Sequence, residues 1–323
     1  MQYNHGLFLL LFIGQVYLKE RAEYMRVAII LNPIAGGGKA KEMSSHAIET
    51  LQKAGFEVSL LESAFAGAST GLARQAALLG YNPILACGGD GTVLEVVNGL
   101  EGTTSIMGIL PYGRGNDVCK DLGLPIDSEE ALQTIIHGRP RSVDAVKCRG
   151  RAFLGVGGVG VDGQAAVNAE KWKRFLPKVG ASYILVGFWT MAFFRPFTLE
   201  LILDGERHQF SHTYVVAVGN TSTYSQGMKI LPKASFQDGL LDACVITSRN
   251  HLHLFPLFFK VFSGEHIKDP GVRYFQGKEL QLNCLDPHRT IYCFADGEMF
   301  GALPNHYSAC PNQIQILYPE GVK

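Results

Sequence analysis

One stretch constrains the fold more than any other: Cys87-Gly88-Gly89-Asp90-Gly91-Thr92-Val93-Leu94-Glu95. The preceding Asn82-Pro83-Ile84-Leu85-Ala86 is uncharged and reads as a buried strand. After it, Val93, Val96, Val97 and Leu100 follow the i, i+3, i+4, i+7 spacing of one helix face. Thr92 and Glu95 have the S/T-x-x-E spacing of a capping box, which predicts a helix start at Thr92. The reading is strand, glycine turn, helix N-terminus. Such a turn lets the backbone approach a bound group, and the helix end offers unpaired N–H groups and a positive dipole end. Asp90 does not suit a bare anion cradle, because a carboxylate repels phosphate. It suits a site where a metal ion bridges to phosphate or a ribose hydroxyl needs an acceptor. An ordinary βα turn would account for the same residues.

The pattern repeats along the first half. Val27 to Leu31 reads as a strand, followed by the glycine-rich turn Asn32-Pro33-Ile34-Ala35-Gly36-Gly37-Gly38-Lys39 and a helix to about Ala54. This is not a Walker A loop, since Pro33 stands where G-x-x-x-x-G-K needs glycine. Phe56 to Leu61 is a second strand ending at Glu62-Ser63, Gly67 to Gly80 a helix, and Ile106 to Leu110 a further strand. Alternating strands and helices imply a parallel sheet with helices on both faces. Ligands bind such sheets at the carboxyl ends of the strands, so the turns at Gly36, Ser63, Gly89 and Gly113 are expected along one edge.

Beyond residue 142 the character changes to short strands with glycine and proline turns. Leu199 to Leu203 and Gln209 to Gly219 predict a hairpin around Asp204-Gly205. Val143–Cys148, Ala152–Val156, Asp242–Ile246, Glu279–Asn283 and Ile314–Leu317 add strands, giving an antiparallel, sandwich-like second domain. Gly158-Val159-Gly160-Val161-Asp162-Gly163 satisfies G-x-G-x-x-G but has no βαβ unit around it, so it is not read as a dinucleotide site.

The order of blocks carries a family resemblance. Gly88-Gly89-Asp90-Gly91-Thr92 resembles the nucleotide-binding signature of the diacylglycerol kinase, sphingosine kinase and NAD kinase superfamily. Pro111-Tyr112-Gly113-Arg114-Gly115-Asn116-Asp117 resembles the P-x-G-T-x-N-D block of bacterial, YegS-like diacylglycerol kinases, with Arg114 where the family usually has threonine. Gly158 to Asp162 then resembles a family G-x-G-x-D turn facing the interdomain cleft. Pro232-Lys233-Ala234-Ser235-Phe236-Gln237-Asp238-Gly239-Leu240-Leu241-Asp242 is similar to the family's P-x-A-x-x-x-D-G-x-L-D block. Asp296-Gly297-Glu298 is similar to its D-G-E motif.

The resemblance implies ATP and Mg2+ as cofactors. Asn32, Ser63, Gly88, Gly89, Asp90, Gly91, Thr92, Glu95, Gly113, Arg114, Asn116 and Asp117 would form the nucleotide site. Asp238, with the carbonyls of Ser235 and Leu240, would hold a structural magnesium, and Asp296 and Glu298 would jointly supply the base. The expected reaction is transfer of the γ-phosphoryl group to a lipid hydroxyl, foremost that of diacylglycerol. A NAD kinase, or an inactive nucleotide- and lipid-binding regulator, is the alternative. Arginine at 114 could meet a phosphate directly or point to a different acceptor.

The expected domains are 25–142 for nucleotide, 143–309 for lipid, and 310–323 as a strand returning to the first domain. Residues 1–24 read as an extension, non-native or disordered. The apolar run Leu7 to Leu18 in it is too short for a span of about 20 residues, and a short membrane-associating helix is the other reading. Lysine plus arginine balance aspartate plus glutamate at 29 each, which argues against a nucleic-acid partner held by bulk charge. Seven cysteines without a C-x-x-C pair fit a reducing cytosol better than zinc or a disulfide framework. The basic, aromatic Lys171 to Lys178 and the uncharged run Tyr183 to Phe194 could dock on the inner membrane face, against the alternative of a core helix. A homodimer stays open.

Overall fold

The computed structural model describes residues 26–172, 189–223, 227–296 and 298–321. The extension 1–24, the apolar run 7–18, Gly297, and most of the basic-aromatic stretch from 171 to 188 lie outside the described residues. The chain forms two compact units. One comprises residues 26–116, 125–141 and 314–321, the other residues 117–124 and 142–313.

The first unit is built on a parallel sheet. Strands β1 (Arg26–Leu31), β2 (Glu57–Glu62), β3 (Ile84–Gly88) and β4 (Ile106–Pro111) are arranged β2-β1-β3-β4. Ile29 is in register with both Leu60 and Leu85. β1 and β3 are the central strands, and that is why their sequences are apolar on both faces rather than alternating. Residues 314–318, the end of β15 (Asn305–Tyr318), add a parallel strand beside β4, with Gln315 opposite Ile106 and Ile316 opposite Met107.

Helices cover both faces. On one, α1 (Lys39–Lys53) buries Ala40, Ala47 and Leu51. With Leu132 and Ile135 of α5 (Ser128–His137), they pack on Val27, Ile29, Leu31 and Leu85. Full burial of a residue such as Leu51 contributes roughly 2 kcal/mol. Asp127 starts α5 by accepting from the Glu129 and Glu130 N–H groups at 2.9 and 3.1 Å, a side-chain N-cap. Helices α2 (Ala68–Leu78) and α3 (Asp90–Gly99) pack on each other and on the same strands. α4 (Asp117–Asp121) is a short helix of the second unit.

That second unit is an antiparallel β sandwich. Its path runs β14 (Glu298–Ala302), β13 (Tyr292–Ala295), β7 (Val156–Gly160), β9 (Glu206–Gly219), β8 (Phe197–Leu203) and β12 (Glu279–Cys284), then the first residues of β15. β10 (Leu241–Thr247) pairs with β9 and with β11 (Val272–Gly277). β5 (Arg139–Cys148) pairs with β6 (Arg151–Phe153). The β8–β9 hairpin turns at Asp204-Gly205, both at positive φ (49° and 89°), as the two-residue turn requires. This unit also carries α6 (Val161–Trp172), α7 (His251–Ser263) and a short 3-10 helix at Glu265–Lys268.

Three sequence expectations change. Helix α3 begins at Asp90, with Gly89 as its N-cap, not at Thr92. Glu95 does not fold back on Thr92, because its carboxylate is engaged by α2. Gly158 and Gly160 are not in a turn but in the wholly buried strand β7, where Gly158 lies opposite Ala217 and Phe294. A Cβ on Gly158 would stand 2.5 Å from the Asp162 Cβ, so the glycine there answers close packing of strand on helix.

Candidate active site

In the first unit the four turns named from sequence do converge. A cavity of about 430 Å³ is lined by residues that include Asn32, Gly36, Ser63, Gly89, Gly91, Thr92, Glu95, Gly113 and Arg114. That volume lies in the range of small-molecule sites. The N–H of Ser63 donates to Leu31 at 2.8 Å and that of Asn32 to Cys87 at 3.0 Å, so the strand ends are tied before the turns leave them. The Asn32 Oδ1 accepts from Ile34 at 3.2 Å, which shapes the start of the triple-glycine turn.

The turns after β3 and β4 touch backbone to backbone. A Cβ on Gly113 would lie 2.4 Å from the Gly89 Cα and 2.6 Å from the Asn116 Oδ1. Only glycine permits that approach. Asn116, at positive φ (50°), holds the turn: its Oδ1 accepts from Gly113 at 3.0 Å and its Nδ2 donates to Pro111 at 2.8 Å. Asn116 is therefore a buttress of the turn, and it, Gly88 and Asp90 are not among the cavity-lining residues. Asp90 opens α3, and Gly88 lies buried at the end of β3 with the Thr92 side chain packed over it. Arg114 is exposed, and its Nη2 would stand 3.6 Å from a Cβ on Gly37. The guanidinium thus lies over the glycine turn at the mouth of the cavity.

Glu95 has a job the sequence did not disclose. Its Oε1 accepts from the Gly67 N–H at 2.7 Å and its Oε2 from the Ser69 N–H at 3.0 Å. Gly67 is the N-cap of α2 and has no side chain to cap the helix. Glu95 supplies the missing acceptors from α3. Burial of Cys87 pushes its thiol up to about 12, which keeps it protonated.

The remaining candidates are in the second unit. Asp296 is at positive φ (46°), a strained setting for a non-glycine residue. Its Oδ2 accepts from the Leu154 and Gly155 N–H groups at 3.0 and 3.2 Å. Gly155 leaves room for that carboxylate: a Cβ there would meet the Asp296 Oδ1 at 2.4 Å and the Asp121 Oδ2 at 3.7 Å. Asp121 is a residue that sequence reasoning missed, because nothing in a lone aspartate on a five-residue helix marks it. Thr223 and Thr221 donate to its two oxygens. Glu298 is ion-paired with Arg151, whose guanidinium stacks 4.6 Å over the Phe300 ring. Asp117 pairs with Lys120 at 3.1 Å on the surface of α4.

In the loop 235–240, Asp238 is exposed and its Oδ1 accepts from the Leu240 N–H at 3.0 Å. The buried Asp144 clamps this loop, accepting from Gly239 at 2.8 Å and from Asn312 at 2.7 Å. One exposed carboxylate with neighbouring carbonyls is an all-oxygen donor set, which fits a magnesium ion that keeps several waters. Among the described residues no group of three or more His, Cys, Asp or Glu side chains is placed to hold a metal.

Comparison with known proteins bears on this arrangement. The family model described as "Diacylglycerol kinase catalytic domain" matches residues 26–148. The one described as "YegS C-terminal NAD kinase beta sandwich-like domain" matches residues 155–318. The chain belongs to the bacterial, YegS-like diacylglycerol kinase family, a family of lipid kinases. It is 29% identical over 299 residues to a diacylglycerol kinase of Bacillus subtilis, covering 91% of this chain and 97% of that one. It is 29% identical over 306 residues to one of Mycobacterium tuberculosis, covering 93% and 97%. A crystal structure of a putative diacylglycerol kinase from Bacillus anthracis superposes with a TM-score of 0.78 at 24% identity, covering 93% and 97%, and shows the same fold.

Proposed function

We propose that the chain transfers the γ-phosphoryl group of ATP to the hydroxyl of a lipid, with diacylglycerol as the acceptor and phosphatidic acid as the product. The observation that carries this is the cavity of the first unit, where three glycine-bearing turns, the Ser63–Ala66 loop and the α3 N-terminus meet at the strand ends. Phosphoryl transfer asks a protein for positioning and for charge neutralisation. Backbone N–H groups of the Gly36–Gly37 and Gly89–Gly91 turns supply donors to phosphate oxygens, and Arg114 adds a fixed positive charge beside them. Gly113 and Asn116 keep the opposing turn at the distance that leaves the cavity open.

On the second unit, Asp296 accepts the proton of the acceptor hydroxyl. Its other oxygen is held by two backbone N–H groups, so the carboxylate is oriented before substrate arrives. Glu298, neutralised by Arg151, positions rather than accepts. The hydroxyl oxygen bonds to the γ-phosphorus as the bond to the bridging oxygen breaks, and ADP leaves. Magnesium, where bound, neutralises phosphate charge. Asp238 with the carbonyls of Ser235 and Leu240 would hold a structural ion. Among the described residues no helix is long and apolar enough to cross a membrane, and the lipid acceptor implies work at the cytoplasmic membrane face.

The test is transfer of label from γ-labelled ATP with magnesium. The acceptors are diacylglycerol, monoacylglycerol, sphingosine, phosphatidylglycerol and NAD. Label on diacylglycerol, reduced at least about a hundredfold by Asp296→Asn, is the expected result. Label on NAD alone, or unchanged transfer by the variant, would overturn the assignment.

A further inference from the structure

Helix α7, His251–Ser263 in the second unit, has one face in the core and another in solvent. Leu254, Leu257 and Val261 are buried. Leu252, Phe255, Phe259 and Phe262 are exposed, the first at 79% and the two central phenylalanines at 54% and 56%. The spacing i, i+3, i+7, i+10 puts the four on one stripe about three turns long. Within the stripe Phe255 packs on Phe259 at 5.4 Å, and the half-buried Phe258 packs beside Phe262 at 5.7 Å. The helix is firmly started and stopped. Asn250 caps it by accepting from Leu252 at 2.9 Å, and Gly264 ends it in the left-handed conformation. A rigid aromatic stripe of this size is an interaction surface, not the scatter of single apolar residues that any protein shows.

Charge around the stripe says what covers it. The helix contains no Asp or Glu. Arg249 precedes it, and Lys229 is pinned to its far end by its N–H donating to Val261 at 3.0 Å; both side chains are exposed. The nearby acids are already matched. Glu265 is paired with Lys268 at 2.9 Å, and Asp269, its side chain 7% exposed, takes His253 at 3.1 Å and the helix's own Lys260 at 4.0 Å. A second copy laid face to face would bring the same cations together with no acid on the helix to meet them. Anionic lipid headgroups would meet them, while the phenylalanines enter the acyl boundary. We infer that the exposed face of α7 docks the protein on an anionic lipid bilayer. Its use to the protein rests on the lipid-kinase reading above, since a bilayer is where such an acceptor resides.

The experiment is flotation of the full chain, without ATP, on mixed phosphatidylcholine–phosphatidylglycerol vesicles and on pure phosphatidylcholine. Wild type is expected to float with the anionic vesicles and to be released by high salt. Phe255→Ser/Phe259→Ser should lower the bound fraction at least about tenfold, and Arg249→Glu/Lys229→Glu should reproduce the loss with the aromatics intact. Both variants alter solvent-facing residues, and an unchanged circular dichroism melt shows that they fold. Wild type that does not float, or an aromatic variant that floats like wild type, overturns the inference. So does sedimentation showing a dimer that the aromatic variant splits, which would give the face to a second copy. Flotation needs no turnover, so absence of lipid phosphorylation would remove the kinase reading and leave this result standing.

Discussion

Replacing Glu95 separates two accounts of that residue. Glu95→Ala removes two hydrogen bonds that its carboxylate accepts from the Gly67 and Ser69 N–H groups at the start of α2, at 2.7 and 3.0 Å. Bonds to a charged group contribute about 1.5–3 kcal/mol each where solvent is excluded. One of these is solvent-exposed and water replaces part of it, so the loss resembles that of a helix cap, about 2 kcal/mol in total. Glu95→Gln keeps one acceptor oxygen and should lose about half as much. For a unit of this size, 2 kcal/mol lowers the melting temperature by about 4–8 °C. The assay is urea unfolding of the nucleotide-free protein followed by far-ultraviolet circular dichroism, with the slope against denaturant checked for constancy. The loop Ser63–Ala66, which lines the cavity, runs directly into Gly67, so ATP affinity should fall with the same variant. If Glu95 instead acts as a nucleotide ligand, the nucleotide-free protein unfolds as wild type does and only ATP affinity changes. That result refutes the capping account.

Gly113→Ala drives a methyl group to 2.4 Å from the Gly89 Cα; it should destabilise the protein by about 1–3 kcal/mol and weaken ATP binding in calorimetry, whereas wild-type affinity would show that the two turns move apart freely. His266 is wholly buried, with Nε2 3.1 Å from the Ile230 carbonyl, and burial pushes its imidazole below the ordinary value. The unfolded chain takes up that proton near pH 6.5 and the folded chain resists it. Stability from this residue is thus present above about pH 6.5 and lost as pH falls below it. His266→Gln should flatten the dependence of urea midpoint on pH between about 5 and 7, and an equal slope in the variant would assign the acid sensitivity elsewhere.

The sequence displayed the central strands plainly, because Val27–Leu31 and Ile84–Cys87 are apolar on both faces and can lie only inside a sheet. The Asp204-Gly205 hairpin was equally readable, since its two residues meet the φ demand of the turn. The edge at which Asn32, Ser63, Gly89 and Gly113 gather followed from the βα alternation alone. Long-range partners were not readable. Glu95 has the spacing of a local capping box, yet the acceptor-poor Gly67 cap on another helix claims it. Strand β7 looked like a turn because its glycines answer packing against α6 and β13, a demand set by residues far along the chain. Asp121 and Asp144 gain their partners only in the fold.

The parallel strand beside β4 comes from residues 314–318, some 200 residues after the strand it pairs with. During synthesis the parallel sheet of the first unit therefore waits, its β4 flank open, while the whole sandwich is made. The unit whose strands begin before the sandwich is the last to be finished. Expression of residues 26–142 alone would yield a sheet with an unpaired apolar flank prone to pair with other chains. A circular permutant that begins at residue 314 and joins the old ends would let that half close early.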